Sequence, residues 1–399
     1  KARERVPELF GRIQAFVAMH AESGGEYDNR LLLTSGKRAQ PGWQEVELAW
    51  ENLRVALDVL RDALGRLGAA LADAGVTALL DAEGLAATVA ARMQSLTRLR
   101  LGLDEIIGRH DAERIAWLTV NRFNGAVTLS SAPLNVGEVL ESYLFGRKSS
   151  VILTSATLSA AGNFRYVRER LGLDEADELA LGSPFDYRRA ALVLTAADMP
   201  EPNRLDYQPA LERALVELTR ASDGRALVLF TSHGSLRTTY RAVKPLLEAE
   251  GIRVLAQGVD GTPRELLDAL KAEHRTVLLG TASFWEGVDV VGEALSLLVI
   301  AKLPFPVPTD PIVAARSELF DAPFRDYALP QAVLRFKQGF GRLIRHRGDR
   351  GVLVVLDRRI RSKSYGKTFL ASLPDCSQAD APLAQLAAHV RKWLRQSAQ

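Results

Sequence analysis

The chain has 399 residues, 47% hydrophobic and 25% charged, enough for two or three compact units with their own cores, which excludes disordered and fibrous classes. Its 51 basic and 48 acidic residues leave a formal charge of only +3, so any polyanion site must come from local clustering. No apolar run approaches the roughly 18 to 20 residues of a membrane span, and Lys1-Ala-Arg-Glu-Arg leads into no signal-type core; a soluble, cytoplasmic setting is expected.

One cysteine, Cys376, rules out an intrachain disulfide or a four-thiolate cluster, and the six histidines show no His-x-x-x-His spacing. No metal site and no iron–sulfur cluster are therefore expected. The sequence does not begin with Met, and the expectation is a piece of something longer.

In chain order, Arg5 to His20 reads as a helix and Ser23 to Trp43, with its glycines and Pro41, as a loop. Glu45 to Leu103 contains no proline and repeats apolar residues at helical spacing: Trp50, Leu53, Leu57, Leu60, Leu64, Leu67 and Leu71 form one stripe, Leu85, Val89, Met93, Leu96 and Leu99 another. Two long antiparallel helices follow, punctuated at Ala74-Gly75 and between Asp81 and Gly84, with the stripes as bundle faces rather than a cofactor box. Past Gly108, β-branched runs take over: Ile115–Val120, Ala126–Leu129, Val151–Thr154, Leu192–Thr195, Ala226–Phe230, Arg253–Ala256, Thr276–Gly280, Leu297–Ala301 and Val352–Leu356. Several are continuously apolar, as in a buried parallel sheet flanked by helices.

Four segments carry chemistry. Val151-Ile-Leu-Thr-Ser-Ala-Thr-Leu158 runs an apolar strand into small hydroxyl residues, which offer amides and hydroxyls to a ligand or simply cap a helix. Ala226 to Phe230 leads into Thr231-Ser232-His233-Gly234-Ser235, a loop suited to phosphate oxygens; without a Gly-x-Ser-x-Gly elbow, a Ser232 nucleophile is disfavoured. Val277 to Gly280 leads into Thr281-Ala-Ser-Phe-Trp285-Glu286-Gly287-Val-Asp289. There Trp285 is a packed anchor or a base-stacking ring, and Glu286 and Asp289, around Gly287, face solvent or a ribose and water. Last comes Gln338-Gly339-Phe340-Gly341-Arg342-Leu343-Ile344-Arg345, whose spacing puts Arg342 and Arg345 on one face of a helix one turn after Gln338. Such a fork of guanidiniums suits a terminal phosphate and the charge developing on it. The internal glycines argue against a merely solvated basic helix, which each would weaken by roughly 1 kcal/mol.

In order and spacing these four segments resemble motifs III, IV, V and VI of superfamily 2 helicases, and their wording is similar to the DinG branch of the XPD/DinG family. Further phrases agree: Trp117 before Ala132-Pro133-Leu134, Ser183-Pro184-Phe185, Lys302-Leu303-Pro304-Phe305-Pro306, and Tyr365-Gly366-Lys367 ahead of Ser372-Leu373-Pro374. The resemblance covers roughly Ile107 to Pro374. It implies an α/β, RecA-like (P-loop NTPase-type) helicase fold with a parallel sheet, plus an N-terminal all-α, arch-like module. The boundaries it implies are 1–109 for that module, 110–185 for a remnant of the first RecA-like domain, and 186–399 for the second.

By the same resemblance Gln338, Arg342 and Arg345 face the γ-phosphate of ATP, and Glu286, Gly287 and Asp289 approach the nucleotide or couple it to the strand. Thr231, Ser232, Thr281 and Trp285 belong to the DNA path, and Thr154, Ser155, Ala156 and Thr157 couple nucleotide state to DNA grip. The implied function is ATP-dependent translocation on single-stranded or forked DNA with duplex unwinding, in DNA repair. The sequence departs from the family pattern in having no Gly-x-x-x-x-Gly-Lys-Ser/Thr and no Asp-Glu-x-His, so it holds one side of an ATP and Mg²⁺ site. The expectation is the C-terminal portion of a longer helicase, inactive alone, whose partners are DNA and the rest of its own polypeptide, including in some relatives an exonuclease domain. The rival is an ATP-independent single-strand-binding or scaffold module. A nicotinamide enzyme is disfavoured, since no Gly-x-Gly-x-x-Gly follows a strand.

Overall fold

The computed structural model describes residues 2–21, 28–73, 82–159, 162–285 and 295–396. They fall into two units, Lys1–Val136 with Val307–Leu319, and Gly137–Pro306 with Phe320–Gln399.

The first unit contains helix α1 (Ala2–His20), strand β1 (Asn29–Leu32), the short α2 (Ser35–Arg38), the long α3 (Trp43–Asp73) and α4 (Ala82–Leu103), and strands β2 (Arg114–Val120) and β3 (Val127–Pro133). Leu9, Ile13, Phe16 and Val17 recur at helical spacing along α1, and Trp43, Val46, Trp50, Leu53 and Leu57 along α3; both stripes are buried with Leu31, Ala116 and Leu118 of the sheet. Beyond Leu57 the expected stripe changes character. Leu60, Leu67, Leu85 and Leu99 are exposed, and along this stretch α3 packs chiefly against α4. The expected break at Ala74-Gly75 lies outside the described residues, and Gly84 sits inside α4.

One sequence expectation is corrected here, and another gains its pairing. The segment expected to be loop contains β1 and α2, the latter capped by Thr34, whose hydroxyl accepts from the Lys37 amide. β2 and β3, read as strands and set apart from the parallel sheet, form an antiparallel hairpin with β1 along their edge. The tight Asn121–Ala126 turn decides this, since parallel neighbours need a crossover of about a dozen residues or more.

The second unit is built on a seven-stranded, wholly parallel sheet: β4 (Ala191–Ala196), β5 (Ala226–Leu229), β6 (Arg253–Ala256), β7 (Thr276–Gly280), β8 (Leu297–Ile300), β9 (Gly351–Val355) and β10 (Ser377–Ala381). Their order across the sheet is β10-β4-β9-β8-β5-β7-β6. Every residue of β4, β5, β7, β8 and β9 is buried, so continuous Val, Leu and Ile runs fit where alternation would not. One core lies against helices Tyr207–Ala221, His233–Glu248 and Leu383–Arg395, the other against helices Pro263–Ala272 and Leu329–Phe340. This is the α/β, RecA-like arrangement with a helical N-terminal region.

The expected strand Val151–Thr154 is not formed: residues 151–155 carry no regular structure, Ile152 is 86% exposed, and among the described residues no strand pairs with them. Cys376, just before β10, is buried, and burial pushes its thiol up to about 11. Against the ordinary value of 9.0 its thiolate fraction at pH 8 falls about 100-fold. Native protein should therefore label with a thiol reagent at least that much more slowly than urea-unfolded protein; equal rates would contradict the buried position.

Candidate nucleotide and nucleic-acid site

The functional segments of the second unit gather where its strands end, the edge at which open α/β sheets bind ligands. β5 ends in Phe230, Thr231 and Ser232. Thr231 is exposed, while Ser232 caps helix His233–Glu248 by accepting the Ser235 amide at 3.3 Å. After β7, Thr281 is only 3% exposed; its amide and hydroxyl both donate to Gln257 Oε1 (2.7 and 2.9 Å), and its hydroxyl lies 3.2 Å from His233 Nε2. Burial, aided by Arg237, holds His233 below the usual imidazole range. Thr231 and Thr281, paired by the sequence as DNA-backbone hydroxyls, thus differ: one faces solvent and the other is locked in a network between strand ends.

Trp285 ties two segments of the site together. It is 3% exposed, and its indole Nε1 donates to the Phe230 carbonyl at 3.0 Å, tying the β7 loop to the end of β5. Of the two readings open at the sequence, this position is the one expected of a packed anchor. Glu286, Gly287 and Asp289 lie outside the described residues.

The last segment also departs from expectation. Helix Leu329–Phe340 stops before Arg342, and Gly341 to Leu343 form a turn in which the Gly341 amide closes on the Lys337 carbonyl (3.0 Å). Arg342 and Arg345 therefore do not share a helical face. Arg342 turns inward, 8% exposed, and its Nη2 donates to the Trp285 carbonyl at 3.1 Å; Arg345 is exposed, with its amide on Asp349 Oδ2 at 2.7 Å. Gln338, in the final helical turn, donates from Nε2 to Thr157 Oγ1 at 3.4 Å, and Lys337 donates to Ser159 at 3.3 Å. The Thr154, Ser155, Ala156, Thr157 segment folds into a turn in which the Thr157 amide donates to Ser155 Oγ at 3.2 Å. Two segments some 180 residues apart in sequence, expected to couple and to catalyse, meet through these two hydrogen bonds.

The glycine preceding Phe340 has a packing reason as well. A Cβ on Gly339 would stand 3.1 Å from Trp285 Cζ3 and 3.3 Å from Leu229 Cδ1. Gly339→Ala gains about 1 kcal/mol of helix propensity and loses about 1–3 kcal/mol to overpacking. The expected result is a lower urea midpoint, and a stabilised variant would overturn this account.

One cluster escaped the sequence reading. Asp357, fully buried just past β9, accepts the Leu303 amide at 2.8 Å and is clasped by Arg359, whose Nη2 reaches Oδ2 at 2.7 Å. Lys302 lies 5.0 Å over the Tyr207 ring, and its ammonium is pushed down by burial. The signal was a carboxylate directly after the apolar run Val352–Leu356, hidden by the more conspicuous arginines upstream.

Chemically, the donors here are Gln338 Nε2, shared with Thr157, and the two guanidiniums that follow within seven positions, while the buried Gln338 Oε1, an acceptor, has no hydrogen-bond partner among the described residues. Amide and guanidinium donors of this kind fit one side of a nucleoside triphosphate. Residues 215–376 match the family model described as "Helicase C-terminal domain". The fold and these motifs define a superfamily 2 helicase region.

Its branch is DinG. The chain is 36% identical over 309 residues to the "3'-5' exonuclease DinG" of Bacillus subtilis (strain 168), covering 74% of this chain and 32% of that protein. It is 40% identical to the "ATP-dependent DNA helicase YoaA" of Escherichia coli (strain K12), covering 62% and 39%. To the "ATP-dependent helicase DinG" of Mycobacterium tuberculosis (strain ATCC 25618 / H37Rv) it is 38% identical, covering 69% and 43%. The matches thus span about a third to two fifths of the length of these relatives. A solved structure titled "XPD_APO" shares the fold, with a TM-score of 0.56 at 14% identity over 95% of this chain and 69% of that one. No helix among the described residues is long and apolar enough to cross a membrane.

Proposed function

We propose that this chain is the motor region of a DinG-like helicase that couples ATP hydrolysis to translocation on single-stranded DNA and to duplex unwinding. The observation that carries the reading is the junction of Gln338 with Thr157 and of Arg342 with the Trp285 carbonyl, which joins three motif segments at one point. In this reading Gln338, Arg342 and Arg345 serve the γ-phosphate, with Glu286, Gly287 and Asp289 beside them. Bound ATP supplies the anhydride whose cleavage drives the cycle; the residues here orient it and transmit its presence to the Thr154–Thr157 turn. Thr231 and Ser232 form the exposed part of the DNA path. Residues 1–109 act as an arch-like module, 110–185 belong to the first RecA-like domain, and 186–399 are the second. Mg²⁺ is held with the phosphate loop and Asp-Glu-x-His motif that this sequence lacks, and no iron–sulfur cluster takes part. The protein acts in the cytoplasm, in DNA repair, on single-stranded or forked substrates.

The test is the purified chain itself. It is expected to bind an oligo-dT strand with an affinity that falls steeply with salt, at about −0.7 in log–log slope per phosphate contacted, and to show no DNA-stimulated ATPase. Stimulated hydrolysis would overturn the division of the ATP site, and absence of strand binding would overturn the strand-tracking role.

A further inference from the structure

The four motif segments all lie in the second unit, yet the first unit carries a cavity with nucleotide-binding chemistry. Alternation along the three-stranded sheet sends Ala116, Leu118, Val127 and Leu129 into the core, and Trp117, Thr119, Thr128 and Ser130 to the opposite face. The pairing sets Trp117 across from Ser130 and Thr119 across from Thr128, with Arg30 of β1 beside Thr119. With Asp310, at the head of helix Pro311–Ser317, these residues line a cavity of about 340 Å³. That lies at the lower end of the roughly 300–1,000 Å³ typical of small-ligand sites. Trp43, Trp50 and Trp285 are packed in cores, whereas Trp117 remains part-exposed on this cavity.

We propose that this cavity takes one nucleotide of a single DNA strand, its base stacked on Trp117, its edge meeting the hydroxyls of Thr119, Thr128 and Ser130, and its phosphate reaching Arg30. A single aromatic platform ringed by hydroxyls favours a base without specifying which, as strand tracking requires. The carboxylate of Asp310 is offset by its bonds from Arg30 Nη1 (3.0 Å) and from the amides of Ile312 (3.0 Å) and Val313 (3.3 Å), which reduces its repulsion of a phosphate. An exposed pair such as Arg30–Asp310 is weak, so the guanidinium can turn a further nitrogen to a phosphate. This inference rests on the strand-tracking reading and extends the DNA path to a unit that holds none of the motifs.

The experiment is oligo-dT binding by the whole chain across a salt series. Trp117→Ala should weaken binding about 5- to 150-fold at fixed salt with an unchanged salt slope, and Trp117→Phe should recover most of it. Arg30→Gln should instead lower the slope by about one phosphate contact. Full affinity in Trp117→Ala overturns the subsite while strand binding stands; no binding by the wild-type chain removes both. If the variant loses affinity for free ATP or AMP but not for the strand, the cavity serves a free nucleotide and the proposal fails. Should Trp117→Ala not fold, cross-linking of a 5-iodouracil strand to wild-type protein decides: a cross-link on the 115–130 peptide supports the subsite, and cross-links confined to other peptides overturn it.

Discussion

Replacing Arg342 by alanine, in a helicase that carries this chain together with a phosphate loop, is expected to lower ATP turnover by about 10³- to 10⁵-fold while nucleotide binding falls far less. The reason is the timing of the charge: a guanidinium that meets the phosphoryl group as negative charge develops stabilises the transition state more than bound ATP. The structure adds a second consequence. Arg342 donates to the Trp285 carbonyl inside the protein, so its removal leaves a buried acceptor unsatisfied and should also cost about 1–3 kcal/mol of stability. Two comparisons separate the effects. Arg342→Lys keeps the charge but not the planar fork, and should recover little turnover even where the fold is intact. Arg345→Ala, at an exposed side chain, should cost less stability than Arg342→Ala, so a comparable loss of turnover there is chemical in origin. Normal turnover in Arg342→Ala, with the fold confirmed by its unfolding curve, would remove the assignment.

Much of the second unit was legible because its physics is local. A strand buried on both faces must be apolar at every position, and β4, β5, β7, β8 and β9 announce themselves in that way; the Arg253–Ala256 and Thr276–Gly280 strands were placed to the residue. Val151–Thr154 has the same composition and is not a strand, since a ladder depends on neighbours that composition does not reveal. The hairpin of β2 and β3 was read as two strands without a pairing, which is set by the short turn between them. At the site, residue types were readable and orientations were not. Spacing of three placed Arg342 and Arg345 on a common helical face, but Gly341 ends the helix and sends one guanidinium inward and the other out. Gly339 was read only as an argument against a merely solvated basic helix, and its place against Trp285 became visible only once two distant segments were packed together. The Asp357–Arg359 clasp was missed because its significance lies in burial, which a charged pair after a strand does not disclose.

Trp285→Ala should be among the most destabilising single changes in the second unit, at about 3–5 kcal/mol. Three losses coincide. The ring leaves a void in the core it shares with Leu229 and Phe340, the Phe230 carbonyl loses its indole donor, and Gly339 faces a gap where its missing side chain had made room for the ring. Trp285→Phe keeps much of the packing but not the donor, so it should fall between alanine and wild type in urea. The same pair of variants discriminates between the two roles this residue type can play beside a DNA path. If the ring were a platform for a base, Trp285→Ala would lose about 1–3 kcal/mol of strand affinity with an unchanged unfolding midpoint. If it is an anchor, the midpoint falls first, and strand affinity measured well below the unfolding transition changes only as far as the end of β5 and Arg342 shift. The indole bond to Phe230 and the guanidinium bond to the Trp285 carbonyl link those movements, so Trp285→Phe should lower turnover further than it lowers strand affinity. Equal losses of the two would argue that Trp285 does not position Arg342.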